Sequence, residues 1–158
     1  MRDQTHLRLL RAYRRLPTWA RRRVVRTVSP SYTVGAMCFI ERADGRLLLV
    51  RHTYRRRWGV PGGLVKKGED IADGARREVF EEVGLDVELT SEPRVVVEPE
   101  PQRVDVIYRA RPADGADPDA VAPASAEIVE TRWFDQHALP ELQHETAAAF
   151  VALARAER

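Results

Sequence analysis

The sequence is poor in cysteine and has no long apolar run, and each shortage excludes a class of protein. Cys38 is the single cysteine among 158 residues, so no disulfide can form within the chain. It lies in an apolar run, residues 32–40, where a buried and inert thiol is expected. No run approaches the roughly 18 apolar residues that span a membrane. We therefore expect one domain of ordinary size in a reducing cytoplasm.

Lysine is also scarce, since Lys66 and Lys67 are the only two among 26 basic residues. The remaining 24 are arginine, a bias associated with bacterial genomes of high GC content. Residues 1–30 carry nine arginines and one aspartate, a net charge of +8, whereas the whole chain carries +2. The other 128 residues are therefore acidic, with a net charge of −6.

The basic segment 1–30 is predicted to be an amphipathic helical arm that precedes a domain at 31–158. Its larger apolar residues recur at nearly helical spacing: Leu7, Leu10, Tyr13, Leu16 and Trp19. Pro17 is expected to break or restart the helix. The arm lacks the apolar core of a secretory signal and the serines of a transit peptide. It could pack on the domain or across a homodimer, or it could contact RNA, another polyanion or an anionic membrane.

The rest of the chain alternates strand and helix patterns, which predicts an α/β fold with a mixed sheet. Strands are predicted at 31–40, 46–52, 87–89, 94–97, 104–109 and 127–134. Asp44-Gly45 between the first two is a hairpin signal. The Ala-, Asp- and Pro-rich stretch 112–126 is expected to form a surface loop, and a closing helix is predicted at 141–155.

A helix is also predicted between Asp70, a suitable N-cap, and Gly84, which can take the left-handed conformation at a helix end. Three glutamates on this helix share one arc at spacings i, i+3 and i+4: Glu78, Glu81 and Glu82. Such an arc is commonly an open, solvated face. The alternative is a site for a hard divalent cation, because Mg²⁺ prefers carboxylate oxygens.

The helix belongs to a longer pattern over residues 63–85, GLVKKGEDIADGARREVFEEVGL. Its fixed positions are Gly63, Glu69, Arg77, Glu78, Glu81, Glu82 and Gly84, with apolar Val79 and Leu85. This register resembles the signature of the Nudix hydrolases, G-x5-E-x7-R-E-U-x-E-E-x-G-U with U apolar, at every specified position. At about 7% usage per residue type, seven identities in register do not arise by chance.

The resemblance covers roughly residues 32–155 and implies the Nudix α/β/α sandwich. It implies hydrolysis of a nucleoside diphosphate linked to a moiety X, with water attacking one phosphorus of the diphosphate. It also implies Mg²⁺, for which Mn²⁺ could substitute, held by Glu78, Glu81, Glu82 and the carbonyl of Gly63. Glu78, Glu81 or another carboxylate is expected to take the proton from water, and Arg77 to orient a glutamate.

Other candidate residues lie before and after this box. Glu127 could supply an extra acid or base, with Glu130 as its competitor, although a surface carboxylate is the plainer interpretation. Glu69 is expected to brace the loop. Four residues before the catalytic loop could meet phosphates or stack a base, or could form a solvated basic edge with a core tryptophan: Arg51, Tyr54, Arg57 and Trp58. His52, His137 and His144 show no metal spacing and receive no role.

The moiety X is left open. A nucleoside triphosphate and an ADP-ribose-like compound are both candidates, and Pro101, sixteen residues past the box, is a weak mark of the latter. Two other functions remain: a non-catalytic Nudix fold used for binding or regulation, and an RNA-end pyrophosphohydrolase that uses the basic arm. We also expect Glu82→Gln to abolish turnover but to preserve the fold, because a solvated carboxylate contributes little stability.

Overall fold

The computed structural model describes residues 13–29 and 31–155, whose contacts form one compact unit ending at Tyr32 and a second beginning at Thr33. Helix α1 (Thr18–Val28) lies in the first unit and begins directly after Pro17. Proline has no N–H with which to continue a preceding helix, so the predicted restart at Pro17 is confirmed. The division into an arm at 1–30 and a domain at 31–158 stays a prediction.

The apolar stripe predicted for the arm does not continue through this break. Tyr13 is half-buried, whereas Leu16 is exposed and Trp19 is 70% exposed. The restart at Pro17 changes the helical register, which is why residues spaced for one continuous helix no longer share a face. Leu7 and Leu10 lie outside the described residues.

In the second unit, residues 33–155 are described and form seven strands and two helices. In chain order they are β1 (Thr33–Ile40), β2 (Arg46–His52), β3 (Gly62–Leu64), α2 (Ile71–Val83), β4 (Val87–Leu89), β5 (Arg94–Glu98), β6 (Arg103–Pro112), β7 (Ile128–Asp135) and α3 (His144–Arg155). The predicted strands are all present, and half of their bounds shift by one to three residues. Strand β3 was not predicted, and α3 begins three residues later than expected. None of the helices in the described parts of the chain combines the length and hydrophobicity that a membrane crossing requires.

The sheet is mixed, as predicted. Strands β3, β1, β6 and β4 follow one another across it, and β5 pairs with β6 as well. Strand β1 runs parallel to β6 and antiparallel to β3. Strands β2 and β7 form a separate antiparallel pair. In the parallel pair of β1 and β6, Gly35 lies opposite Asp105. This register positions residues of the candidate site.

Both faces of β1 are buried, which explains its continuous apolar sequence. Ala36 and Cys38 point into a core shared with Val79 of α2. Met37 and Phe39, which point to the other face, belong to a second core together with residues of α3. Helices therefore cover both faces of the sheet, and the chain has the predicted α/β/α sandwich.

Candidate active site

Helix α2 has defined ends that set the direction of its side chains. The Asp70 side chain accepts hydrogen bonds from the backbone N–H groups of Ala72 (2.9 Å) and Asp73 (3.4 Å), so it is the N-cap. Gly84 ends the helix in the left-handed conformation (φ 67°, ψ 21°). Both predicted caps are confirmed. Val79 and Val83 are buried in the core, which fixes the rotation of the helix about its axis.

Two consecutive glycines bring the main chain of β3 against the glutamates of α2. The Gly62 N–H donates to Glu82 Oε2 at 3.0 Å. A Cβ atom on Gly63 would lie 2.4 Å from Glu78 Oε2, and one on Gly62 would lie 2.3 Å from the Ala36 carbonyl oxygen. A side chain at either position would therefore displace a carboxylate or the neighbouring strand β1.

Glu82 is buried, with 6% of its surface exposed, so the expectation of a solvated carboxylate at this position is wrong. Besides the Gly62 hydrogen bond, Glu82 Oε1 lies 3.5 Å from His52 Nε2. The other ring nitrogen, His52 Nδ1, lies 3.3 Å from Gln143 Nε2, and Gln143 also donates to the Arg57 carbonyl at 3.1 Å. His52 thus lies within the site although its sequence context indicated no role.

Arg77 holds three carboxylates. It donates to both oxygens of Glu69, from Nε to Oε1 (2.7 Å) and from Nη2 to Oε2 (2.9 Å). Its Nη1 donates to Glu78 Oε1 (2.7 Å) and to Glu81 Oε2 (3.0 Å). Glu69 Oε2 also accepts from the Lys66 N–H at 2.7 Å, which ties the loop to the helix. Hydrogen bonds from Arg77 and then Lys66 lower the pKa of the Glu69 carboxyl to about 2.

The other two glutamates differ in environment. Burial raises the pKa of the Glu78 carboxyl, and the hydrogen bond from Arg77 opposes that rise. Glu81 is half-exposed, with 49% of its side-chain surface accessible, and its Oε1 lies 3.4 Å from Lys66 Nζ. Glu78 and Glu82 therefore face inward, whereas Glu81 lies on the outer edge of the arc.

A cavity of about 380 Å³ opens beside these inward-facing carboxylates. Gly62, Gly63, Glu78 and Glu82 line it, together with Arg103, Gln143, Glu145 and Thr146. Tyr54, Arg55 and Glu127 also contribute to its lining. The cavity thus combines carboxylates with two arginines, as expected for a site that holds a phosphorylated ligand together with a cation.

The comparison with known proteins agrees with this geometry. A family model described as the NUDIX domain matches residues 31–154. The chain belongs to the Nudix family. A MutT-like protein of Streptomyces ambofaciens is 30% identical over 122 residues, which cover 69% of this chain and 79% of that protein.

Solved structures show the same fold. A Nudix hydrolase from Nitrosomonas europaea has a TM-score of 0.67 at 26% identity, over 77% of this chain and 69% of that one. An ADP-ribose pyrophosphatase from Streptococcus suis has a TM-score of 0.60 at 27% identity, over 81% and 96% of the two chains. The chain is accordingly a Nudix hydrolase acting on phosphoric anhydrides, and residues 63–85 are its Nudix box.

Of the four residues predicted to bind substrate, one lines the cavity, and the other three contact residues of the chain itself. Tyr54 lines the cavity and is 67% exposed. Arg51 pairs with Glu130 (Nη2 to Oε2, 2.7 Å), and Arg57 pairs with Glu141. Trp58 packs edge-on against Phe134, with 4.9 Å between the ring centroids, as a core residue does. The assignment of these four residues to substrate binding stays a prediction.

Nudix hydrolases generally use divalent metal ions, so the oxygen atoms of this site should suit such an ion. Within residues 13–29 and 31–155, no three His, Cys, Asp or Glu side chains converge closely enough to hold a metal ion. The reason is that Glu81 faces Lys66 and Arg77 rather than the cavity. Glu78 nevertheless places its oxygens in the space that a Cβ on Gly63 would fill, and Glu82 Oε2 accepts from the N–H of the neighbouring Gly62. Oxygen donors of this kind suit Mg²⁺, which commonly completes its shell with water and substrate phosphates.

Proposed function

We propose that this Nudix hydrolase cleaves a nucleoside diphosphate linked to a moiety X in a Mg²⁺-dependent reaction, with a nucleoside triphosphate or an ADP-ribose-like compound as substrate. The observation that carries the proposal is the convergence of Glu78, Glu82 and Gly63 on one cavity. The likeness to an ADP-ribose pyrophosphatase supports the second of the two substrates.

In this proposal the chain mainly positions groups and neutralises charge. Glu78, Glu82 and the Gly63 carbonyl would hold Mg²⁺, and Glu81, which faces Lys66 and Arg77, would reach the ion through water. When bound, the ion supplies positive charge to the phosphate oxygens. Arg55 lines the same cavity and can meet further phosphate oxygens. Arg77 orients Glu78 through its 2.7 Å hydrogen bond.

Glu78 and Glu127, which both line the cavity, are our candidates for taking the proton of the attacking water. Water adds to one phosphorus of the diphosphate, the anhydride bond breaks, and the other phosphate leaves. Glu130, the competitor of Glu127, is paired with Arg51 and Arg132 instead. We therefore favour Glu127 over Glu130 as the extra acid or base.

Product analysis by chromatography tests the proposal. Nucleoside triphosphates, ADP-ribose, NADH, nucleotide sugars and diadenosine polyphosphates are incubated with Mg²⁺ and wild type, Glu82→Gln or Glu88→Gln. Glu88 is a matched control, because it is an exposed carboxylate on β4 paired with Arg111. We expect Mg²⁺-dependent cleavage at a diphosphate in wild type and Glu88→Gln, and at least a 100-fold loss in Glu82→Gln. Cleavage that needs no divalent ion would contradict the proposal.

The RNA-end alternative depends on helix α1. Arg22, Arg23 and Trp19 are exposed, and residues 13–29 contain no acidic side chain. Basic groups beside an aromatic ring suit single-stranded nucleic acid. RNA affinity that falls steeply with salt, and that deletion of residues 1–28 abolishes, would support this function. An absence of RNA binding at low salt would exclude it, and no cleavage of any compound would instead favour a binding or regulatory role.

A further inference from the structure

A further part of the cavity lining comes from polar residues of β6 and α3, and none of the assignments above explains it. It includes Arg103 at the start of β6, and Asp105 stands two residues further along the strand on the same face. Arg103 Nε lies 2.8 Å from Asp105 Oδ1 and 2.9 Å from Oδ2. Asp105 is 3% exposed, so Arg103 is the charge that compensates this buried carboxylate.

Strand β1 leaves room for this ion pair. Gly35 lies opposite Asp105 in the parallel ladder. A Cβ on Gly35 would lie 2.4 Å from Asp105 Oδ1 and 3.1 Å from Arg103 Nη2. The backbone of Gly35 is not in the left-handed region, so the close approach of the ion pair is the reason that a side chain does not fit.

The pairing leaves the outer end of the guanidinium available. Every hydrogen bond that Arg103 makes within the described residues comes from Nε, and Arg103 lines the cavity. The terminal amino groups therefore form a planar fork that can donate two parallel hydrogen bonds. Because Nε is fixed on Asp105, less conformational freedom is lost when a ligand binds to this fork.

Thr146, in the first turn of α3, provides an independent observation. It is 1% exposed and lines the same cavity, yet its Oγ1 atom has no hydrogen-bond partner. Buried hydroxyl groups are normally satisfied, so one without a partner beside a cavity indicates a missing polar contact. Rotation of the Thr146 side chain would turn this hydroxyl toward the cavity, where a ligand oxygen could accept its hydrogen bond.

We infer that Arg103 and Thr146 form a subsite for an oxygen-bearing acceptor group of the substrate, remote from the scissile diphosphate, and that Asp105 is the positioning residue for Arg103. The inference deepens the proposed function and rests on it. Two chemical sources fit a planar fork: the two oxygens of a phosphate in moiety X, or the acceptor edge of an oxo-purine base.

Calorimetric titration without metal tests the subsite separately from hydrolysis. The probes are ribose 5-phosphate for the phosphate source and inosine for the base source. We expect wild type to bind one of them, Arg103→Gln to weaken that binding at least tenfold, and Thr146→Val to weaken it about fivefold. Arg111→Gln is the matched control, because Arg111 is also on β6 and paired with carboxylates, but lies outside the cavity.

A double-mutant cycle distinguishes positioning from a merely structural role. When Asp105→Asn is introduced into the wild-type protein, it should weaken binding of the same probe. When it is introduced into the Arg103→Gln variant, it should cause no further loss of binding. The double variant also removes both charges of the pair, so a buried unpaired carboxylate does not prevent folding. Thr146→Val, which keeps the shape of the side chain, tests the subsite even if both Arg103 variants fail to fold.

Kinetics separate the subsite from the box. With the substrate identified by product analysis, Arg103→Gln should raise KM at least tenfold and change kcat less than threefold. Loss of turnover in Glu82→Gln with unchanged KM in Arg103→Gln would retain the proposed function and overturn the subsite. Failure of wild type to bind either probe, or equal binding by wild type, Arg103→Gln and Thr146→Val, would also overturn it.

Discussion

At the scale of single residues, three glutamates on one helical turn have three different environments. Like charges at these spacings repel each other by a few tenths of a kcal/mol per pair. Arg77 offsets this for Glu78 and Glu81, because one amino group donates to both. Glu82 is instead held by the Gly62 N–H. Groups of the chain itself therefore hold all three carboxylates, and Glu78 and Glu82 line the cavity.

The glycine at the start of the box can be tested against a glycine elsewhere. A Cβ on Gly63 would meet Glu78, so Gly63→Ala should reduce kcat/KM at least tenfold, because that carboxylate must move. Gly45 has φ +80° and open space around it, so Gly45→Ala should lower the free energy of unfolding by about 1–2 kcal/mol and leave kcat/KM unchanged. Steady-state kinetics and urea unfolding measure the two effects. Full activity in Gly63→Ala would contradict this contact.

Cys38 should be inert in the folded protein. It is fully buried, and burial raises the pKa of its thiol to about 12. The reactive thiolate is therefore almost absent at neutral pH. Labelling with a chromogenic disulfide at pH 8 should be at least 100-fold slower than in urea-unfolded protein. Rapid labelling of the native protein would show that the central strand opens.

At the scale of elements, the N-cap of α2 determines how firmly the box helix is anchored. Asp70→Ala removes the acceptor for the Ala72 and Asp73 N–H groups and should lower the free energy of unfolding by about 1 kcal/mol. Asp70→Ser, which keeps an acceptor, should recover most of this loss. Urea unfolding followed by circular dichroism measures both. Equal stability of the alanine and serine variants would mean that the cap contributes nothing.

The elements also show which parts of the molecule could be predicted from the sequence. The ends of α2 follow from local chemistry, since Asp70 and Gly84 act on groups within four residues. Strand β3 could not be predicted, because Gly62–Leu64 has no strand pattern and pairs only because β1 lies beside it. A short glycine-rich strand is specified by its partner rather than by its own residues.

The part of the site formed by the box was predicted, whereas the contributions of His52, Gln143, Arg103 and Thr146 were not. The box residues share one helix and its preceding loop, so their spacing shows that they meet. His52 and Gln143 are 91 residues apart, and Thr146 and Arg103 reach the cavity from α3 and β6. No periodicity of a single sequence reports such contacts. The burial of Glu82 could not be predicted either, because an isolated helix pattern does not show that β3 covers this residue.

At the scale of the whole molecule, a metal ion bound at the proposed site should raise the free energy of unfolding of the α/β/α domain, because it binds the folded state. A ligand that binds only the native state raises the free energy of unfolding by about 1.4 kcal/mol at ten times its Kd. For a domain of this size the melting temperature should rise by about 5 °C. The ion would act on more than α2, because Glu82 also contacts β3 and β2 through Gly62 and His52.

Differential scanning calorimetry with increasing MgCl2 would measure this rise, with KCl at matched ionic strength as the control for screening. The double variant Glu78→Gln/Glu82→Gln should lose the Mg²⁺-dependent part, whereas Glu88→Gln should keep it. Because the measurement needs no substrate, it separates metal binding from turnover. An equal rise in wild type and the double variant would mean that Mg²⁺ binds elsewhere, and the assignment of Glu78 and Glu82 as ligands would then be wrong.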